Sequence, residues 1–462
     1  MFFSLTVALS VHMVAVCGLT ATEAPPMRMP PVKGEIKHAG KPNFPQLFPN
    51  PTGQNGYEEY VQAADLATGR ECLSYLSEEE TPPKDVVLRG LWQQIPLGPD
   101  GRRKPSEAIK RLAVRQCWDM LDLVERGNAK PTVDPRGRLD VDTLFPELSR
   151  LKPIARLLAA QAELSFADGR ADAGLHSLVA GLTLGRKIQV EGVINWLVGC
   201  SIRAIAMGGL ARRTGDLGPE EARTLKDWAT ADLAGSNRVE EMFVTEIGSA
   251  HDQVEAIVLG GPEALGKRDK DYVQFAMSQA WDQLGVSEGN TKDDEMRRLE
   301  AMKPFIEWMV VSEKRPDPLR DKLLTASESY VDQALLWFHG VITRPEGAWT
   351  GELDLPKTGV LRIFYAMYLP MFELALHSAA IDRTRVRLIL LHAEVALFKA
   401  KNGHLPASLA DLNDPAAVSD PLSGKSFQYV PHPDGSYRLW SLGSAFAGEV
   451  ELGGKSPLKR TH

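Results

Sequence analysis

The sequence predicts a mainly α fold: a multi-helix body built of helical hairpins, followed by a small C-terminal module with a helix and a β-hairpin. Two observations support this prediction. Apolar residues recur at helical spacing from Tyr57 onward, whereas the alternation typical of strands occurs almost only near the C-terminus. The chain has 462 residues, of which 44% are hydrophobic and 24% charged. This is an ordinary globular composition with length for about three domain-sized units.

The charge balance gives no reason to expect a nucleic acid partner. Acidic residues exceed basic ones by 60 to 53, so the formal net charge is −7. Nucleic acids and anionic membrane surfaces attract basic proteins. The four cysteines are too few for a disulfide framework.

The N-terminal residues 1–24 predict a signal peptide or a membrane anchor. Residues 1–22 carry no charge, and the run from Phe2 to Leu19 is broken only by serine, threonine and one histidine. A cleaved signal peptide and a retained anchor both fit this apolar run, and a buried helix of the fold is a third interpretation. We therefore expect an exported protein, periplasmic or anchored by residues 2–21, that touches the membrane only through this segment.

Residues 25–54 predict a proline-rich linker. Eight prolines lie in the 27 residues from Pro25 to Pro51. Proline fixes φ and lacks an N–H donor, so this stretch is incompatible with a helix or a central strand. We expect an extended spacer between the N-terminal segment and the body.

Residues 55–370 predict the α-helical body. Two of its helices should join at Asp168-Gly169-Arg170, and the pattern over 261–320 specifies no fold. The expected helices, in chain order, cover about 57–76, 105–126, the two on either side of residue 169, 190–212, 218–233, 238–259 and 318–342.

Two very apolar segments, 190–212 and 357–381, predict buried helices and not membrane spans. Both contain residues that a lipid-facing helix rarely carries. These are Glu191 and Arg203 in the first segment, and Arg362, Pro370 and Glu373 in the second.

Residues 371–445 predict the C-terminal module, with 446–462 as a flexible tail. A long helix over 371–401 should end at Gly403, which can adopt the left-handed cap. Pro406 should then begin a short helix that folds back. A hairpin should follow around Pro433-Asp434-Gly435, and its Tyr429 and Tyr437 should lie nearly opposite one another.

The order of these parts resembles the globular region of type II secretion pseudopilins. The shared marks are a Gly-x-x-Pro turn (Gly403 to Pro406), an Asp-Pro-x-x-Gly turn (Asp420 to Gly424) and a Ser-x-Gly end (Ser441 to Gly443). Residues 1–5 lack the glycine and glutamate of a pseudopilin processing site. The final loop, 443–454, offers only Glu449 and Glu451, so we expect no calcium site.

The whole chain over 55–443 also resembles a set of uncharacterised bacterial exported proteins. They share an Asn-Gly-Tyr helix start (Asn55-Gly56-Tyr57), an alanine-rich helical middle, a Leu-x-Gly helix (Leu197-Val198-Gly199) and the pseudopilin-like tail. The resemblance implies this fold and an exported location, and it brings no activity.

The sequence suggests no catalytic, cofactor-binding or metal-binding residues. Gly424-Lys425-Ser426 looks like the end of a phosphate loop, but Ser419 stands where the first glycine is required. His251 and Glu255 share a helix face without a third ligand. His392 and Glu394 are not followed by the second histidine of a zinc protease motif.

Cysteines 72, 117 and 200 are interpreted as small core residues on helices. The sequence leaves open whether two of them pair.

The first functional hypothesis is therefore an exported, non-catalytic helical scaffold or interaction protein of the cell envelope. Its protein partner would bind the helical body or the C-terminal hairpin. One alternative is a component or client of a secretion or pilus-like machine. Another is an envelope enzyme with a site assembled from distant helices, which a deep pocket would favour. Such a pocket should be lined by several of Glu191, Arg203, Glu240, Glu246 and His251.

Overall fold

The computed structural model describes most of the chain after residue 46. The described ranges are 47–77, 82–98, 103–136, 145–189, 192–234, 238–260, 317–342, 359–366, 370–412, 419–444 and 447–452, together with positions 293, 296, 297 and 300. The N-terminal segment 1–24, residues 25–46 of the linker, the greater part of 261–320 and residues 453–462 of the tail lie outside them.

Within these ranges the protein is mainly helical, with 12 α-helices and one two-stranded antiparallel hairpin, which confirms the predicted fold class. The helices are α1 (Gly56–Leu66), α2 (Val86–Gln93), α3 (Glu107–Gln116), α4 (Trp118–Asn128), α5 (Leu148–Ala167), α6 (Ala171–Ile188), α7 (Val193–Ala211), α8 (Pro219–Ala234), α9 (Arg238–Gly260), α10 (Asp317–Ile342), α11 (Gly359–Ala366) and α12 (Pro370–Asn402). The strands are β1 (Gln428–Pro431) and β2 (Tyr437–Trp440).

The first predicted helix is shorter than expected. It ends at Leu66 because Gly69 takes φ of 82°, which ends the right-handed turn. Residues Glu71–Leu76 then form a separate 3₁₀-helix. Helix α2, which the sequence pattern did not reveal, begins where the Asp85 carboxylate accepts from the backbone N–H of Leu88 at 2.8 Å.

Two other predicted helices are each divided. The 105–126 segment breaks at Cys117, whose φ of −125° and ψ of 21° lie outside the helical region. The 357–381 segment contains the end of α11 at Ala366 and the start of α12 at Pro370. Proline lacks the backbone N–H that a residue in the interior of a helix donates. It is therefore common at the first position of a helix and breaks a helix elsewhere.

Two hydrophobic cores lie on opposite sides of the α6–α7 pair. The first gathers the apolar faces of α1 to α5 with Leu184 of α6 and Ile202 of α7. The second gathers α8 to α12 with Leu182 of α6 and Trp196 of α7. Helices α6 and α7 thus form a shared wall, which explains why α7 is apolar nearly all round.

Helix α7 is the one described helix that is long and apolar enough to cross a membrane. The interior of the protein buries 78% of that apolar stretch. The core helix of a soluble protein has the same properties.

The C-terminal hairpin has the predicted turn. Gly403 takes φ of 77° directly after α12, and Gly435 takes φ of 82° between the strands. Tyr429 pairs with Leu439, so Tyr437 lies diagonally across from Tyr429 with ring centroids 5.6 Å apart. The C-terminal module packs onto the second core through several buried apolar side chains, namely those of Leu409, Leu412, Leu422, Phe427 and Leu439.

Candidate functional site

Arg203 forms a buried ionic centre between α7, α8 and α12. Its two terminal nitrogens donate to the two carboxylate oxygens of Asp232 at 3.0 and 2.9 Å. Its Nε lies 3.2 Å from a carboxylate oxygen of Asp382. The three side chains are between 0% and 4% exposed. The Trp228 ring lies 5.5 Å from the guanidinium. A planar donor fork paired with two carboxylates fixes three helices in one arrangement.

Two aspartates face Arg203 in this centre, and burial disfavours the ionised form of Asp382. Burial raises the pKa of Asp382 from its ordinary 3.8 to about 7, with Arg203 opposing the change and Asp232 adding to it. A further arginine, Arg385, also favours the ionised form and donates from Nε to the backbone oxygen of Glu451 at 2.9 Å. Burial in this centre therefore favours the protonated form of Asp382.

A second polar centre holds the start of α1. The Asn55 side chain accepts from the N–H groups of Tyr57 and Val133, both at 3.0 Å, and donates to the Val133 carbonyl at 2.7 Å. One Glu147 oxygen accepts from the Tyr57 hydroxyl and from Arg136, each at 2.7 Å.

This centre is almost completely closed to solvent. Arg136 also donates to Asp134 at 2.8 Å, and its guanidinium lies 4.6 Å from the centre of the Phe145 ring. Burial raises the pKa of Glu147 above its usual range and raises that of Tyr57 as well. The Asn-Gly-Tyr motif thus connects α1 to the loop at 131–136 and to the residue that precedes α5.

A third set of contacts is a short chain of hydroxyl groups that begins at His251 on α9. The His251 Nδ1 atom lies 2.8 Å from the Ser327 hydroxyl on α10, which lies 2.8 Å from the Tyr365 hydroxyl on α11. Ser327 and Tyr365 are fully buried, and burial raises the pKa of Tyr365 to about 12. A buried serine beside a histidine resembles part of a nucleophilic centre. Here, however, the Ser327 hydroxyl is hydrogen-bonded to Tyr365 and is closed to solvent.

Of the residues proposed to line a common pocket, the four that the structure describes each have a separate partner. Arg203 lies in the ionic centre, and His251 lies in the hydroxyl chain. Glu246 accepts from the Val193 N–H at 3.1 Å at the start of α7, where burial raises its pKa. Glu240 is exposed, 3.6 Å from His339. Glu191 lies outside the described residues.

The two pairs considered as metal ligands, His251 with Glu255 and His392 with Glu394, do not act as pairs in the structure. The Nδ1 atom of His392 lies 2.8 Å from the Tyr437 hydroxyl, while Glu394 pairs with Lys226 of α8 at 2.6 Å. Burial lowers the pKa of His392 from 6.5 to about 3. Glu255 is exposed on α9. In the described part of the chain, no group of three or more metal-ligating side chains comes together.

The Asp-Pro-x-x-Gly turn and the Ser-x-Gly end of the module are joined by one carboxylate. Asp420 is fully buried and accepts from the Leu422 N–H at 3.0 Å, the Ser423 hydroxyl at 2.5 Å and the Ser441 hydroxyl at 2.8 Å. Gly424 takes φ of 66° in this turn. Gly424-Lys425-Ser426 is therefore a turn with an exposed lysine, as the sequence suggested.

Two of the three cysteines of the body are in contact. The Sγ atoms of Cys72 and Cys117 lie 3.6 Å apart in the first core. Cys200 is separate on α7, where its sulfur accepts from Gln189 at 3.2 Å. Of the three, Cys200 lies within an α-helix, Cys72 in the 3₁₀-helix and Cys117 at the break between α3 and α4.

Sequence reasoning overlooked most partners in these centres. Asp232, Ser327, Tyr365 and Asp382 looked like ordinary helix residues. The separation of 179 residues between Arg203 and Asp382 gives no local signal. A usable signal exists at one place, because the segment 130–136 combines two prolines with the charged residues Asp134 and Arg136.

Comparison of this chain with protein-family models, with curated proteins and with solved structures finds no match in any of the three.

Proposed function

We propose that this protein is an exported, non-catalytic helical scaffold of the cell envelope that binds a protein partner through its helical body or its C-terminal hairpin. The observation that carries the proposal is how the buried polar groups are used. Arg203 joins α7, α8 and α12; Ser327 joins α9, α10 and α11; Glu147 joins α1 to the start of α5. Each group bonds to other parts of the chain.

An enzyme places its reactive groups differently. A nucleophile or general base must reach a substrate, so at least part of it faces a cleft. Ser327 and Asp382 are fully buried, and Arg136 is 3% exposed. Such closed, paired groups orient helices and specify one packing arrangement, which is what a binding scaffold requires.

In-cell photocrosslinking tests the partner. A photoreactive residue is placed at three exposed apolar positions, one at a time: Trp118 on α4 (65% exposed), Leu336 on α10 (74%) and Val430 on β1 (43%). Arg126, an exposed charged residue on α4, is the matched control position. We expect a discrete adduct with another envelope protein from at least one apolar position and none from Arg126.

The same adduct should persist in a strain that carries Ser327→Ala, since the proposed role needs no reactive hydroxyl. Absence of an adduct at all three apolar positions would contradict the scaffold proposal. A substrate turned over by the parent and not by an equally stable Ser327→Ala protein would favour an enzyme.

A second candidate is a component or client of a secretion or pilus-like machine. The contact between Asp420 and Ser441 supports it, because this contact joins the two turns on which the pseudopilin resemblance depends. Under this candidate the adduct should form from Val430 on the hairpin, and the captured protein should be a subunit of such a machine. An adduct from Trp118 or Leu336 alone would favour the general scaffold.

A further inference from the structure

Cys72 and Cys117 are adjacent in space although 45 residues separate them in the chain. Cys72 lies in the 3₁₀-helix Glu71–Leu76, and Cys117 lies at the corner between α3 and α4. Their Sγ atoms are 3.6 Å apart, whereas a disulfide bond is about 2.0 Å long. Oxidation therefore requires the two sulfurs to approach by only about 1.6 Å.

We propose that Cys72 and Cys117 form a disulfide bond when the protein folds in the presence of a disulfide oxidant. The bond would join the 3₁₀-helix to the α3–α4 corner inside the first core. The inference concerns the folded chain itself and does not depend on the proposed location or partner.

The surroundings favour reaction at Cys72. The hydrogen bond from Cys117 lowers the pKa of the Cys72 thiol, and the charge of Arg70 lowers it further. Arg70 is held at this place because it donates to the Gln116 carbonyl at 2.7 Å, one residue before Cys117. Its other contact is Asp119, at 3.4 Å.

The reaction is a balanced thiol–disulfide exchange. The Cys72 thiolate attacks one sulfur of glutathione disulfide and displaces one glutathione thiolate. Cys117, having lost its proton, then attacks the Cys72 sulfur of the mixed disulfide and displaces the second glutathione. The protein loses two protons and two electrons, and the oxidant becomes two thiols.

Burial determines when the reaction occurs. Cys72 is 4% exposed and Cys117 is fully buried, so an oxidant reaches them during folding or local opening. Once the core has closed, the same burial protects the bond from reductants. Cys200 lies in the second core, where its sulfur accepts from Gln189 at 3.2 Å, whereas Cys72 and Cys117 lie in the first core.

The test refolds the full chain from denaturant in a glutathione redox buffer, with Cys17→Ser introduced so that only the three cysteines of the body can react. Free thiols are counted by maleimide labelling, and the digested protein is mapped by mass spectrometry without reduction. We expect a mass lower by two hydrogens, a peptide pair that joins Cys72 to Cys117, and one labelled thiol, that of Cys200. The oxidised protein should melt several degrees above the reduced one.

Matched variants separate this pair from chance oxidation. Cys200→Ser should keep the crosslink, and Cys72→Ser or Cys117→Ser should abolish it. Three reactive thiols in the refolded parent, or a crosslink that includes Cys200, would overturn the proposal. These outcomes are read on the parent protein, so the test stands if a serine variant fails to fold.

Discussion

Gly199 of α7 and Gly185 of α6 touch through their backbones. A Cβ atom at Gly199 would lie 2.5 Å from the Gly185 carbonyl oxygen, and one at Gly185 would lie 2.7 Å from the Gly199 carbonyl oxygen. The wall between the two cores therefore depends on two positions without side chains. The Leu-x-Gly motif of the sequence marks one of them.

We expect Gly199→Ala to destabilise the protein by ~1–3 kcal/mol, the usual consequence of overpacking a close contact. Gly208 on the same helix is the matched control, because a Cβ there meets nothing within 4 Å. Gly208→Ala should be neutral or stabilising by up to ~1 kcal/mol, the gain in helix propensity. Urea unfolding midpoints measure both, and equal effects of the two substitutions would refute the close-packing account.

The raised pKa of Asp382, in the buried ionic centre with Arg203, makes the stability of the protein depend on pH. The folded-state pKa of Asp382, about 7, lies above its ordinary 3.8, so the folded protein holds an extra proton between these values. The contribution of Asp382 to the free energy of unfolding therefore falls by ~1.4 kcal/mol per pH unit as the pH rises from about 4 to 7.

Two buried histidines act in the opposite direction. Burial lowers the pKa of His377 to about 4 and that of His392 to about 3, below the ordinary 6.5. Their contribution is present above pH 6.5 and is lost as the pH falls toward these folded-state values. Between pH 4.5 and 6 the two histidines outweigh the single Asp382.

The variant Asp382→Asn removes the opposing group. We expect its free energy of unfolding to fall more steeply than that of the parent on acidification from pH 6 to pH 4.5, by ~1.4 kcal/mol per pH unit more. Denaturant titrations at four pH values measure the slope. Parallel curves for the two proteins would show that the folded state does not raise the pKa of Asp382.

The hairpin supplies a test of the C-terminal module. The Tyr437 ring is in contact with His392 of α12, and its hydroxyl bonds to the same residue at 2.8 Å. We expect Tyr437→Ala to cost about 3–5 kcal/mol locally and to expose the last 60 or so residues to protease. A stable fragment ending near residue 400 should remain.

Two further variants calibrate that result. Gly403→Val should act in the same direction but more weakly, by ~1–2 kcal/mol, because valine is strained at φ of 77°. Val430→Ala, at a half-exposed position of β1, should leave protease resistance unchanged. Digestion of the whole body together with the tail would mean that the module does not unfold separately.

The spacing of apolar residues predicted helix ends correctly where residues close in sequence determine the backbone. The joint at Asp168-Gly169-Arg170 lies where expected, since Gly169 takes φ of 74° between α5 and α6. The hairpin turn at Gly435 was equally readable. The break at Cys117 was not, because it lies in a periodic run, where the packing of the chain decides the backbone.

The polar centres were beyond local reasoning for a related reason. Arg203 was recognised as unusual in an apolar helix, but its two partners lie on α8 and α12 and look like surface residues in sequence. Their pairing becomes visible only when the helices are placed. Conversely, the motifs at Asn55-Gly56-Tyr57 and at Asp420 are visible in the sequence, and the structure supplies the contacts that explain them.

Export is the claim on which the proposed function depends most directly, and one reporter measurement tests it. Residues 1–54 are fused to a reporter enzyme that is active only outside the cytoplasm, and a fusion of residues 25–54 alone is the matched control. We predict activity from the first fusion and none from the second, since the charge-free run Phe2–Leu19 is present only in the first. A silent, soluble reporter in the cytoplasm from the 1–54 fusion would contradict the account.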